Sequence, residues 1–249
     1  MKKFETDQPG YGMATLTHPG CDLNAHLAVM RAATAVFDTS TEAPVKSSIY
    51  RAGGKRLFET LLVLLSLPFF VPIMVLCVIA LWFEGGNPFY RQDRLGKNGK
   101  HFSILKLRTM VRDADAVLED YLASDPEMRR EWDEKQKLIN DPRVTRVGAL
   151  LRSTSLDELP QLWNVLWGEM SLIGPRPMMP DQLQMYGDPA HYFALRPGIT
   201  GLWQVSARNE NGFSFRNEVD ATYNKAMSVT GDIAIIYKTV GVMLRRTGC

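Results

Sequence analysis

From Leu61 to Phe83 the chain carries no Asp, Glu, Lys, Arg or His. At about 1.5 Å per helical residue, such a run can cover the ~30 Å hydrocarbon core of a bilayer. Pro68 and Pro72 fall inside it. Each proline removes a backbone donor and crowds the preceding turn, so the pattern predicts a helix that breaks rather than a straight rod. Beyond it, Glu84-Gly85-Gly86-Asn87-Pro88 reads as a turn, followed by a basic, extended stretch to about Met110. Asp113 to Lys137 is highly charged and places Val117, Leu118, Tyr121 and Leu122 at helical spacing, with a break at Asp125-Pro126. Two surface helices are expected there. Val147 to Leu151 is a short apolar segment, Leu162 to Trp167 a helix, and Ser171 to Gly174 a short buried strand or turn. Phe213 to Met227 and Ile233 to Leu244 pattern as amphipathic helices. The fold class is mainly α with small β elements (α+β). It divides into a mobile tail over 1–48, a membrane anchor over 49–84 and a domain over 85–249.

Charge placement changes the picture more than its total. The net charge is +2, too mild to argue for nucleic acid. Lys46, Arg51, Lys55 and Arg56 precede the apolar run, and Arg91, Arg94, Lys97 and Lys100 follow it. Basic residues mark the cytoplasmic flank of a membrane segment. Two basic flanks predict a re-entrant, helix-break-helix anchor that enters and leaves by one face, bent near Ser66, Pro68 and Pro72. A spanning helix that carries the tail to the other side is the alternative. Arg245-Arg246 suits a helix C-terminus or an anionic lipid surface. Cys21, Cys77 and Cys249 form neither a disulfide framework nor a metal set, and the four His have no metal-ligand spacing.

The densest polar knot runs from Arg152 through Asp157 and Glu158 to Pro160. Ser155 and Glu158 have capping-box spacing, although Pro160 fits better with Asp157 as the N-cap. The functional reading is a carboxylate pair at a helix N-terminus, able to divide nucleophilic, metal-binding and proton-handling roles. In Gly174-Pro175-Arg176-Pro177 the prolines fix the backbone on both sides of Arg176. That gives either a plain rigid turn or a pre-organised guanidinium for phosphate. Arg196 to Asn209, with Arg208, suits a loop near a ligand or an ordinary turn around Trp203. Lys106-Leu-Arg108-Thr109 and Asn140-Asp141-Pro-Arg143 add cations whose default role is solvated charge.

Together these segments resemble the bacterial sugar transferases, monotopic phosphoglycosyl transferases that initiate surface-polysaccharide assembly. The resemblance runs from about Lys55 to the C-terminus. It rests on Phe89-Tyr-Arg-Gln-Asp-Arg-Leu-Gly96, Lys106-Leu-Arg-Thr-Met110, Ser155-Leu-Asp-Glu-Leu-Pro-Gln-Leu-Trp-Asn164, Gly168-Glu-Met-Ser-Leu-Ile-Gly-Pro-Arg-Pro177 and Arg196-Pro-Gly-Ile-Thr-Gly201. The tail from Thr239 to Cys249 looks like the exopolysaccharide-initiating branch. The resemblance implies transfer of a sugar 1-phosphate, galactose or glucose foremost, from a UDP-sugar to undecaprenyl phosphate with release of UMP. It implies Mg²⁺, and a location at the bacterial inner membrane with the catalytic domain facing the cytoplasm.

By the same resemblance, Asp157 is the nucleophile that carries a covalent phospho-sugar. Glu158 is its partner as metal ligand or proton acceptor, and Asp220 is a further acidic residue in the metal set. Arg152, Pro175, Arg176 and Pro177 would seat phosphate and nucleotide, with Arg108, Arg196 and Arg208 as further candidates. In one respect the chain departs from the family: Val71 precedes Pro72 where the family has a serine. Membrane phospholipid and a second copy of the chain are expected partners. The alternative function is a catalytically silent membrane scaffold that binds nucleotide-sugar or polysaccharide enzymes.

Overall fold

The computed structural model describes residues 48–135, 138, 141–206 and 215–244. The tail over 1–47, Arg208 and Arg245-Arg246 lie outside them. A π-helical turn over Tyr50–Gly54 leads into α1, Lys55–Phe83, which runs without interruption through Pro68 and Pro72. The expected helix-break-helix is therefore one helix. Each proline deletes a single amide donor, and the remaining ladder of this long apolar segment carries the helix on. Ser66 Oγ donates to the Val63 carbonyl at 2.8 Å. It does not reach the Leu64 and Pro68 carbonyls, whose amide partners the prolines remove.

One face of α1 is buried along its length through Glu59, Val63, Cys77 and Leu81. The other exposes Leu57, Leu61, Leu65, Phe69, Leu76, Trp82 and Phe83. By length and composition this helix can cross a membrane. Both of its ends hold the same body. Arg56 donates to the carbonyls of Val165 and Leu166, and Arg108 donates to those of Leu81 and Gly85. A cation at the open carbonyls of a helix C-terminus is well placed against the helix dipole.

The basic, extended stretch is an antiparallel hairpin of β1, Phe89–Leu95, and β2, His101–Leu107. The two charged helices are α2, Ala114–Ser124, and α3, Pro126–Lys135. They part at the expected Asp125-Pro126 step. α4, Arg146–Thr154, ends in a 3-10 turn over Leu156–Glu158, followed by α5, Gln161–Trp167. β3, Ser171–Ile173, pairs in parallel with β4, Gly198–Thr200. Between them lie α6, Leu183–Tyr186, and α7, Ala190–Phe193. α8, Leu202–Ser206, α9, Phe215–Ala226, and α10, Val229–Leu244, close the domain. The strand at Ser171 and the last two helices match the hydrophobic pattern.

Two apolar clusters seat α1. Val63 packs with Ile104, Val165 and Met170, and Cys77 and Leu81 pack with Leu107 and Leu151. A third joins β3 to α8, α9 and α10 through Ile173, Trp203, Phe215, Val219, Tyr223 and Ile235.

Candidate active site

Strand alternation builds the floor of the site. In the β1–β2 register Tyr90 faces Lys106 and Gln92 faces Ile104. This face, with Arg94, turns toward two adjoining cavities, while Asp93 and Ser103 bond each other elsewhere on the hairpin at 2.5 Å. Asn164 of α5 ties the hairpin in place. Its Oδ1 accepts from Leu105 N at 3.1 Å, and its Nδ2 donates to Ser103 O at 2.9 Å and Glu169 Oε2 at 2.7 Å. The turn before α5 is thereby held beside Lys106.

That turn carries the carboxylate pair. Ser155 ends α4 in the left-handed region at φ 56°, uncommon for a residue with a Cβ. It redirects the chain so that Asp157 and Glu158 follow at once in the 3-10 turn. Neither Ser155 nor Asp157 caps α5, whose N-cap position is Pro160 with no side-chain bond. The capping expectation is thus replaced by a tight corner between two helices.

The larger cavity, about 770 Å³, is lined by Tyr90, Lys106, Arg152, Asp157, Glu158 and Arg176 among others. Lys106 Nζ lies 3.1 Å from Glu158 Oε1. Arg152 Nε donates to Thr109 Oγ1 at 2.8 Å, which steadies the guanidinium at the cavity wall. α4 can approach Thr109 closely because Gly148 has no Cβ: one would lie 2.1 Å from the Thr109 carbonyl oxygen. Burial pushes the Asp157 carboxyl up from 3.8 to about 6, and Glu158 adds to the rise. Lys106 and Arg152 oppose it.

The smaller cavity, about 150 Å³, shares Lys106, Glu158 and Arg176 with the larger. It adds Arg94, Gln161, Pro177, Gln182 and Arg216. Pro175 is buried behind it, and its carbonyl accepts from Gly198 N at 2.8 Å.

Three expected site residues have other surroundings. Arg108 reaches the larger cavity, but its guanidinium is bonded to the α1 terminus. Arg196 lines neither cavity; its Nε donates to the Gly168 carbonyl at 2.8 Å, at the far end of α5. Asp220 is buried on α9, where it accepts from the Tyr186 hydroxyl at 2.5 Å. Burial raises it to about 7, against the pull of Tyr186 and Arg216. Asp220 lines neither cavity, and among the described residues no three acidic, His or Cys side chains converge.

Asp141 and Arg143 form a bidentate pair at 2.8 Å and 2.7 Å, a structural clip between α3 and α4. Lys106, Arg94 and Arg216 were outside the expected site. Period-two alternation from Gln92 to Arg94 and from Ile104 to Lys106 was the available signal for two of them.

A pair of adjacent carboxylates suits Mg²⁺, which takes one or two protein carboxylates and completes its shell with other oxygens and water. Asp157 and Glu158 fit that description without a third protein ligand.

The model of the bacterial sugar transferase family matches residues 50–246. A UDP-galactose-lipid carrier transferase of Erwinia amylovora is 48% identical over 195 residues, 78% of this chain and 41% of that protein. An undecaprenyl-phosphate galactose phosphotransferase of Salmonella typhimurium is 45% identical over the same shares of each chain, 78% and 41%. The exopolysaccharide production protein ExoY of Rhizobium meliloti is 42% identical over 216 residues, 85% of this chain and 96% of that protein. The chain thus spans 41% of the length of the first two relatives and nearly all of the third. With the match covering both α1 and the residues around the carboxylate pair, the chain belongs to the bacterial sugar transferase family.

Proposed function

We propose that this chain is a membrane-associated phosphoglycosyl transferase. It moves a hexose 1-phosphate from UDP-galactose or UDP-glucose to undecaprenyl phosphate and releases UMP. The observation that carries this reading is the Asp157-Glu158 corner, set in a cavity of about 770 Å³ with Lys106, Arg152 and Arg176 around it. Carboxylates and phosphates repel, so a carboxylate nucleophile for phosphorus needs such a cationic wall. The names of the relatives supply the donor and acceptor classes.

In the first half-reaction a carboxylate oxygen of Asp157 attacks the β-phosphorus. The bond from that phosphorus to the bridging oxygen breaks, and its electron pair leaves on UMP. An oxygen of the lipid phosphate dianion then attacks the same phosphorus, and the Asp157–phosphorus bond returns its electrons to the carboxylate. Splitting the transfer lets a soluble donor and a lipid acceptor use one site in turn. With its pKa near 6, Asp157 is ionised at neutral pH while keeping more basicity than an ordinary carboxylate. Lys106 bonds Glu158 and favours the ionised nucleophile. Arg176, held between two prolines, and Arg152 meet donor phosphate with little ordering left to lose. Asp157 and Glu158 would hold Mg²⁺, which supplies charge neutralisation to the phosphates when bound.

The anchor belongs to the same reading. Both ends of α1 hold one body, so the uninterrupted helix would lie with its exposed apolar face against the membrane rather than carry its two ends to opposite sides. The body would then face the cytoplasm at the inner membrane, with the carboxylate pair near the lipid phosphate.

The test is incubation of the wild type and Asp157→Asn with a UDP-sugar panel and undecaprenyl phosphate. Wild type is expected to release UMP, and the variant to lose at least ~10³-fold of that rate. Comparable turnover by the variant would remove Asp157 from the nucleophile role. Donor binding without UMP release from any sugar would leave the scaffold reading.

A further inference from the structure

The smaller cavity is not needed to place the carboxylate pair, yet four cationic side chains meet in its wall. Arg94, Lys106, Arg176 and Arg216 line it, with Glu158 as the one carboxylate in the wall. They arrive from β1, β2, the Pro175–Pro177 turn and α9, so no local helix or strand pattern explains their convergence. Arg216 is 6% exposed, and its Nη2 donates to the Arg176 carbonyl at 2.8 Å. Asp220 lies one helical turn further along α9, behind Arg216, and accepts from Tyr186. Arg94 Nη2 donates to Gln92 Oε1 at 2.5 Å, while Arg94 Nε is buried with no partner.

Desolvating several guanidiniums side by side is unfavourable unless an anion joins them. Burial and Arg176 together hold the Arg94 guanidinium down at about 10, the direction expected of a cation among cations. Two neutral amides complete the wall. Gln161 is 2% exposed, and Gln182 Oε1 accepts from Met179 N at 3.0 Å.

We infer that this chamber is a leaving-group subsite, in which Arg94, Arg176 and Arg216 hold the α-phosphate of the departing nucleoside monophosphate. The inference rests on the transferase reading given above. Lys106, Glu158 and Arg176 belong to both cavities, so a diphosphate lying across their shared wall has its β-phosphorus toward Asp157 and its α-phosphate among the arginines. As Asp157 bonds to the β-phosphorus, the breaking bond leaves its electron pair on the α-phosphate, which becomes a dianion. A chamber poised for that charge interacts more strongly with the transition state than with the intact donor. A phosphate monoester of the lipid acceptor has the same chemistry, and the experiment separates the two sources.

The full-length protein in detergent is titrated calorimetrically with UMP and, separately, with a short-chain prenyl phosphate. Two variants are compared with the wild type. Arg94→Gln removes the fork. Gln182→Glu keeps an oxygen for Met179 N and adds a negative charge to the wall. Both variants are expected to weaken UMP binding about 10- to 100-fold, the loss of a charge-assisted contact, and to leave prenyl phosphate binding within about two-fold. Weakened prenyl phosphate binding with UMP binding intact would overturn the inference and give the chamber to the acceptor. Unchanged UMP binding in both folded variants would overturn it outright.

Gln182→Glu keeps the proposal testable if Arg94→Gln does not fold. Direct binding is read without turnover, so the two readings fail separately. UMP binding that depends on Arg94 in a protein with no transferase activity removes the activity alone. Transferase activity with UMP binding indifferent to both substitutions removes the subsite alone.

Discussion

Two of the places where the described residues bury charge treat it differently. At the start of α1, Lys55 Nζ lies 2.7 Å from Glu59 and 2.5 Å from Asp232. Glu59 also accepts from Ser171 Oγ at 2.6 Å and Ile173 N at 3.1 Å. Asp232 also accepts from Tyr50 at 2.6 Å and Tyr223 at 2.8 Å. Every carboxylate oxygen in this latch has a donor, and Glu59 and Asp232 are almost fully buried. At the two cavities, by contrast, cations outnumber carboxylates, the Asp157 carboxyl is pushed up by burial, and Arg94 Nε lacks a partner. A closed network of this kind holds parts together. A network left open is completed by something outside the chain.

The largest effect is expected from opening the latch. Asp232→Ala removes one of the two carboxylate partners of Lys55, takes the acceptor of the Tyr50 hydroxyl and leaves Tyr223 with its longer bond to the Ile173 carbonyl. Breaking a buried pair on one side costs about 3–5 kcal/mol. The apparent melting temperature in detergent should fall by about 10 °C or more. A fall of only ~1 °C would mean that the latch is not a closed network and would erase the contrast.

The next effect belongs to the open site. Lys106→Met removes the cation that bonds Glu158 and favours ionised Asp157. The single-turnover UMP burst without acceptor should slow about 10²-fold. Its pH dependence is the sharper readout. In the wild type the burst should fall on the acid side with an apparent pKa near 6, because the attacking group is the carboxylate. The donor diphosphate does not titrate there. In Lys106→Met the limb should move to higher pH, since the group opposing protonation is gone. A limb that stays put would detach Lys106 from the nucleophile.

The latch and the site also differ in how far they could be read along the chain. Asp125-Pro126, the strand at Ser171 and the amphipathic helix ending at Ala226 are local events, written in a break or a period. The carboxylate pair was visible because its two members are neighbours. Lys106 reads as solvated charge and Arg94 as a basic flank of the apolar run, though strand alternation puts both on the cavity face. Arg216 and Asp220 share a helix turn, and only the packing of α9 against α6 and the Pro175–Pro177 turn decides which enters the chamber. Arg196 reads like a ligand contact in sequence, yet tertiary packing gives it to a backbone carbonyl. Pro68 and Pro72 were expected to interrupt α1, and the flanking hydrogen bonds outweigh two missing donors.

A third prediction exchanges activity for stability. The folded pKa of Asp157, about 6, stands above its ordinary 3.8. Protonation therefore favours the folded state: that contribution is complete below pH 3.8 and is lost as pH rises through about 6. Above that, the buried charge is a burden that Asp157→Asn removes. Discounted for partial solvent exposure, the gain is about 1–2 kcal/mol, or a few degrees in melting temperature at pH 8. The advantage should vanish at pH 4. An Asn variant less stable than wild type at pH 8 would place Asp157 among the satisfied charges, with Glu59 and Asp232.

The smallest effect tests whether strain accompanies the open site. Ser155 holds φ 56° where α4 turns into the carboxylate corner. A left-handed residue with a Cβ costs about 1–2 kcal/mol, and glycine adopts the conformation freely. Glycine also loses more backbone entropy on folding, by roughly 0.5–1 kcal/mol. The two terms nearly offset, so Ser155→Gly should raise stability by no more than about 1 kcal/mol. Ser155→Val should lower it by at least as much, because branching at Cβ makes the left-handed region worse. UMP release should persist in the glycine variant, since only the backbone course of Ser155 is needed to bring Asp157 and Glu158 to the cavity. If glycine instead abolishes the burst while the protein stays folded, the hydroxyl of Ser155 itself belongs to the chemistry, and the corner is more than a bend.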